Sequence, residues 1–196
     1  MYENIFQVKS NNIVPNKGRI LIASPLLNDY HFSRSVILMI NHEDKGDMGV
    51  VLNKDFRYHV ALNDLVKDLD NVPSIPVYKG GPVGRDTMFF IHDIEKIKDS
   101  LPLGNGLFMN GDFGQMIDCI KSENTYIGRV RFYLGYAGWS EGQLQSEMKD
   151  NTWIVSEISK ERLFNESHRN LWQNSLNDMG EPYCTWAKYP AIPSMN

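Results

Sequence analysis

Gly138-Trp139-Ser140-Glu141-Gly142 has the G-x-S-x-G spacing of a nucleophile elbow, a sharp strand-to-helix turn that exposes a serine for acyl transfer. Asp150 and His168 follow it, which is the Ser, Asp, His order of an α/β-hydrolase. The surroundings argue against that chemistry. The strand leading in is predicted to end near Leu134, so the loop from Gly135 to Trp139 is longer than an elbow allows. No His-Gly-Gly-Gly oxyanion segment lies upstream, and His168 falls inside a helical pattern. Ser140 with Gln143 three positions on reads instead as a helix N-cap, its hydroxyl accepting from an early backbone N–H. No catalytic residue is assigned.

The same residues could bind rather than react. Gly135, Gly138 and Gly142 let a backbone approach a ligand closely, and the N-terminus of the following helix offers unpaired N–H groups to an anion. The Gly80-Gly81-Pro82 turn could form another wall, with Tyr136 and Trp139 as a stacking surface. The candidate ligand-binding set is therefore Gly80, Gly81, Pro82, Tyr136, Gly138, Trp139, Ser140 and Gln143, for a small anionic ligand or a protein partner. Packing accounts for the same residue types, glycine for tight turns and tryptophan for core, and that alternative stays open.

Other polar clusters are weaker. His42 with Glu43, Asp44 and Asp47 resembles a metal cluster but has no second histidine at ligand spacing, and acidic hairpin tips are usually solvated. His92-Asp93 ends a strand as a satisfied structural pair would, and Arg129 and Arg131 fit an exposed strand face. Cys119 and Cys184 lie far apart with no ligand partner nearby, so they read as buried free thiols. No metal and no cofactor is expected.

Charge narrows the partner classes. A net charge of -4 gives no global attraction to nucleic acid or anionic membrane, and no helix-turn-helix or basic stripe stands out, so direct DNA binding is not expected. No stretch approaches the roughly 20 apolar residues of a transmembrane helix, and the N-terminus lacks a signal-peptide core. A cytoplasmic location is expected.

The elements that must position these residues follow from hydrophobic spacing. Strands are predicted at Arg19 to Ala23, Ser35 to Ile40, Met48 to Asn53, Val77 to Lys79, Thr87 to His92, Gly106 to Asn110, Arg129 to Leu134 and Thr152 to Ser156. In the seventh, Arg129, Arg131 and Tyr133 alternate against Val130, Phe132 and Leu134, the pattern of a half-buried strand. Pro102, Gly104 and Asn105 read as a loop. One amphipathic helix is predicted within Phe56 to Asp70, one after an Asp112–Gln115 capping box, one ending near Lys149, and one from Glu161 to Leu176 terminated by Gly180. The class is mixed α/β (α+β): a compact single domain over 1–196, with a mixed, largely antiparallel sheet flanked by helices, a polar leader at 1–17 and an irregular tail at 181–196.

Five stretches taken together resemble the bacterial YqgE/AlgH family. They are Gly18-Arg19-Ile20-Leu21-Ile22-Ala23-Ser24-Pro25, Phe32-Ser33-Arg34-Ser35-Val36, Met48-Gly49-Val50-Val51-Leu52-Asn53, Gly80-Gly81-Pro82-Val83, and Leu134 through Leu144. The resemblance implies a cytoplasmic protein with a compact α/β fold. It implies little about activity, since the family is uncharacterised and its transcriptional-regulator label rests on genetic association. Lys54-Asp55 departs from the family's usual Arg-Pro, and Ser24 and Gln145 depart from its usual methionine and acidic residue.

Overall fold

The computed structural model describes residues 8–43 and 45–190. Its strands are β1 Ile20–Ala23, β2 Val36–Glu43, β3 Gly46–Val51, β4 Val77–Lys79, β5 Val83–His92, β6 Leu101–Gly104, β7 Leu107–Met109, β8 Val130–Trp139 and β9 Trp153–Ser156. Its α-helices are α1 Leu62–Leu65, α2 Phe113–Ser122, α3 Gln143–Lys149, α4 Lys160–Asn165, α5 Leu171–Asp178 and α6 Tyr183–Trp186. The strands join one nine-stranded sheet in the order β6-β7-β5-β8-β3-β2-β1-β9, with β4 also on β8. Neighbours pair antiparallel except β4, which runs parallel to β8. The fold class is thus mixed α/β, as expected.

The sheet is buried on both faces around β2, β1 and β9, which accounts for the unbroken apolar run of β1. Ile20, Ile22, Val36 and Leu38 pack with Trp172 and Leu176 of α5. Leu21, Ile37 and Met39 on the other face pack with Trp139, Trp153 and Leu144. A further cluster sets Phe90 and Phe132 against Met116 and Ile120 of α2. Asp112 caps α2, accepting from the Gln115 N–H at 3.0 Å, while Gln115 itself turns to the backbone of Lys96 and Lys98.

Several elements differ from the sequence expectation, each for a local reason. The helix predicted within Phe56 to Asp70 breaks at Val66, which is extended (φ -127°, ψ 102°). Asn63 competes with the ladder: its Nδ2 donates to the carbonyls of Leu69 and Val72 and its Oδ1 accepts from Ile75, folding the chain back. The helix predicted over Glu161 to Leu176 breaks at Glu166, whose carbonyl accepts from Arg131 Nη2 at 2.9 Å. Pro102 and Gly104, which read as loop in the sequence, lie in β6. Asn105 and Gly106 have φ of 52° and 71°, the two positive values of a type I′ hairpin between β6 and β7.

The described parts of the leader and of the tail both make specific contacts. Asn11 presents its side-chain amide to the open edge of β9, donating to the Val155 carbonyl at 2.6 Å and accepting from its N–H at 3.2 Å. In the tail, α6 buries Trp186 to 2% exposure against the α5 layer. Residues 1–7 and 191–196 lie outside the described residues. Tyr133, expected on a solvent face, is fully buried.

The largest difference is β8, which does not stop at Leu134 but runs to Trp139, so the Gly135 to Trp139 loop is strand. β4 pairs with Phe132, Tyr133 and Leu134 beside the β3 edge, while β5 begins at Val83 opposite Tyr136 on the other edge. The chain must therefore cross β8 within Gly80-Gly81-Pro82. Gly80 wedges between β8 and β3, its N–H donating to Leu134 and its carbonyl accepting from Val51, each at 2.8 Å. A Cβ on Gly80 would stand 2.2 Å from the Gly135 carbonyl oxygen, and one on Gly81 2.0 Å from the Tyr136 carbonyl. Gly80→Ala is expected to cost at least about 3 kcal/mol in urea unfolding because only backbone could yield. Gly142→Ala, with φ 73° but open space around it, should cost about 1 kcal/mol.

Candidate functional site

Ser140 leaves β8 directly into a turn, and its hydroxyl is not the cap of α3. The N-cap is Gly142, at φ 73° and ψ -8°, the third-position geometry of a type II turn closed by Gln143 N–H on the Ser140 carbonyl. The roles are reversed relative to a serine cap. Gln143 Oε1 accepts from both the N–H and the hydroxyl of Ser140 at 3.1 Å, and Gln143 Nε2 donates to Glu147 Oε1 at 2.9 Å. Glu147 Oε2 then accepts from the indole N–H groups of Trp139 and Trp153, at 2.8 and 2.7 Å. The motif is spent on a network that satisfies two core tryptophans. Trp139 is 6% exposed and offers no open stacking face.

The hydrolase constellation is not assembled. His168 lies 2.7 Å from Asp55 and 4.7 Å, ring to ring, from Tyr78. Tyr78 is level with Tyr133 of β8, seven positions before Ser140, about 23 Å along a strand. Asp150 closes the C-terminal turn of α3 through its N–H.

The candidate binding residues divide between two places. Gly80, Gly81, Pro82 and Tyr136 meet at the strand crossing, whereas Trp139, Ser140 and Gln143 belong to the network at the end of β8, with Gly138 just before it. At the crossing, the glycines accommodate another backbone. A cleft of about 510 Å³ opens beside it, lined by Gly81, Leu134, Lys79, Tyr30, His31 and Arg85 among others. Arg57 and Asp55 complete its charged lining.

The cleft is cationic. Lys79 Nζ lies 3.5 Å from His31 Nδ1 and 5.7 Å from the centre of the Tyr30 ring, which is 91% exposed. Just behind it, Lys54 donates to the Ser33 carbonyl. Burial, then the charges of Lys79 and Arg34, pull the Lys54 ammonium below the ordinary lysine value. The carboxylate in the cleft's lining, Asp55, is taken up by other partners. Asp55 is engaged by His168 and by Arg169 Nε at 3.1 Å. Burial opposes ionisation of Asp55, but those two partners outweigh it and hold its carboxyl below the ordinary value.

Sequence reasoning missed Lys54, Lys79, Arg57, Arg85, Tyr30 and His31 as a group. They come from separate segments, and the one local signal was Lys54-Asp55 in place of a usual Arg-Pro. Arg34 shows how the region is tied together. It sits at φ 54°, donates to the Tyr189 carbonyl and lies 4.6 Å over Trp172, while Asn53 bonds its carbonyl and the Val36 N–H.

A family profile described as AlgH-like matches residues 20–184. A UPF0301 protein of Bacteroides fragilis is 42% identical over 98% of this chain and 97% of its own, and one of Bacteroides thetaiotaomicron is 40% identical over the same shares. Among solved structures, a Corynebacterium diphtheriae protein superposes with TM-score 0.76 at 23% identity, covering 90% of this chain and 94% of that one, a likeness of fold alone. The AlgH protein of Pseudomonas aeruginosa matches with TM-score 0.66 at 27% identity, over 91% and 97%.

Glu147→Ala should strand two buried indole N–H groups and cost about 2–4 kcal/mol in urea unfolding, with a shift in tryptophan emission, while Ser140→Ala should cost less than about 1 kcal/mol. Asp55 has a folded value below its unfolded 3.8, so its contribution is present above that pH and lost as pH falls through the folded value. Asp55→Asn should therefore lower Tm at pH 7, and the difference from wild type should close as the pH is taken below 3.8.

Proposed function

The chain belongs to the AlgH-like family, and we propose that it acts as a ligand-binding protein whose site is the cationic cleft beside the strand crossing, taking a small phosphate- or carboxylate-bearing molecule. The observation that carries this reading is the uncompensated charge at the cleft. Lys79, Arg57 and Arg85 line it, Lys54 is pressed by Lys79 from behind, and Asp55 is already held by His168 and Arg169. An anion offsets that repulsion, and Tyr30 and Phe56 add an aromatic wall for the rest of the ligand.

Neither catalysis nor direct DNA binding has a comparable support. Ser140 Oγ is committed to Gln143, and the cations Lys79, Arg57 and Arg85 line a concave cleft of ligand size. A regulatory role, if the cleft's occupancy is its input, runs through a partner that senses the ligand, in the cytoplasm.

Pyrophosphate, phosphate and ATP titrated into the full chain at low salt should give saturable heats for at least one of them. Lys79→Gln should weaken that binding about tenfold or more, the worth of a charge-assisted hydrogen bond. Because an anion raises the depressed Lys54 value, binding on the alkaline side should take up protons, seen as a dependence of the heat on buffer ionisation enthalpy. No saturable binding of any of the three, or binding indifferent to Lys79→Gln combined with Arg85→Gln, overturns the reading.

A further inference from the structure

A second cleft, of about 290 Å³, lies between the segment before β1 and helix α3, and it has a different chemistry. Its walls include Ile13, Val14, Leu144 and Met148, with His42 and Lys149 among its polar groups. Leu144 and Met148 are four apart and form one stripe of α3, while Gln145 and Lys149 form the next. Ile13 and Val14 remain 40% and 68% exposed, apolar surface left uncovered at the cleft.

His42 is set here by the β2–β3 ladder, where it stands opposite Asp47. Its Nδ1 contacts Asp47 Oδ1, and Asp47 is 5% exposed with its other oxygen buried and unpartnered. A buried carboxylate fixed to one ring nitrogen holds the imidazole in a single orientation. Nε2 has no hydrogen-bond partner among the described residues, and the ring remains 24% exposed. Ser10 Oγ, also at this cleft, is buried without a partner and so does not reach His42. The pair therefore lacks a nucleophile, and no group of His, Cys, Asp or Glu among the described residues is placed to hold a metal.

We propose that this cleft binds a small amphiphilic acid of the fatty-acid class, its carboxyl head at His42 Nε2 and Lys149 and its chain against Ile13, Val14, Leu144 and Met148. A carboxyl group can bond Nε2 whichever partner carries the proton, and Lys149, which forms no ion pair with a described residue, matches its charge. The apolar stripe supplies the affinity that a bare anion would lack.

Octanoate, acetate and 1-octanol titrated into the full chain test this, read by calorimetry and by the imidazole nitrogen shifts of His42. Octanoate should bind saturably, about tenfold or more tighter than either acetate or 1-octanol, and should move the Nε2 signal. Met148→Glu should weaken it about tenfold; because Met148 also packs against the Trp139–Trp153 cluster, Val14→Glu, on a side chain 68% exposed, should weaken it likewise with the melting curve retained, and His42→Gln should weaken it while leaving pyrophosphate binding at the other cleft unchanged. Three outcomes overturn the proposal: no saturable octanoate binding, octanoate no tighter than acetate, or an octanoate affinity that Met148→Glu leaves intact.

Discussion

Two backbones touch where Gly80 and Gly81 pass over Gly135 and Tyr136, and the arrangement of the sheet around β8 depends on that contact. With side chains at Gly80 or Gly81, Cβ atoms would stand within 2.2 Å of the opposing main chain, and the two layers of backbone would have to separate. Without the crossing, β4 and β5 could not flank the same strand so soon after one another. The polar groups at the crossing are satisfied by the neighbours it wedges apart, Leu134 on one side and Val51 on the other, so the close approach leaves no orphaned amide at Gly80.

The crossing also fixes the chemistry beside it. Lys79 immediately precedes it, and its N–H donates to the Lys54 carbonyl at 2.9 Å, which locks the two lysine backbones side by side. Burial disfavours the Lys54 ammonium, and the charges of Lys79 and Arg34 add to the cost. A fold that needed only stability would place a carboxylate between them. Asp55 is adjacent in sequence but turns to His168 and Arg169 instead. The crowding of charge thus follows from backbone geometry at the crossing, and Lys79 carries it to the wall of a cleft of ligand size.

The far end of β8 follows a different logic. There Glu147 gathers two indole N–H groups within the core and hands its second oxygen to Gln143, which holds Ser140. A sequence motif shared with hydrolases is accounted for by hydrogen-bond satisfaction around Trp139 and Trp153. The same strand therefore borders a charged cleft near its middle and, at its end, a polar network that runs from the exposed Ser140 and Gln143 to two buried indoles.

The mixed α/β class, most strand positions and the family resemblance were all legible in the residues, because apolar runs such as Ile20 to Ala23 and Val36 to Ile40 have the same meaning wherever they pack. The β6–β7 hairpin is legible too, in the Asn105-Gly106 pair that a type I′ turn favours. What sequence could not decide was set by partners distant in the chain. Gly135 and Gly138 look like loop residues until β3 and β5 are seen to hold them in a strand, and helices over Phe56 to Asp70 and Glu161 to Leu176 look continuous until Asn63 and Arg131 claim their breaks. The cationic cleft is the clearest case: Tyr30, Arg57, Lys79 and Arg85 carry no periodicity or spacing in common, and only the tertiary fold brings them to one cleft, with Lys54 within range of the charge on Lys79. Local pattern determines which elements form, whereas long-range contact determines which side chains share a field.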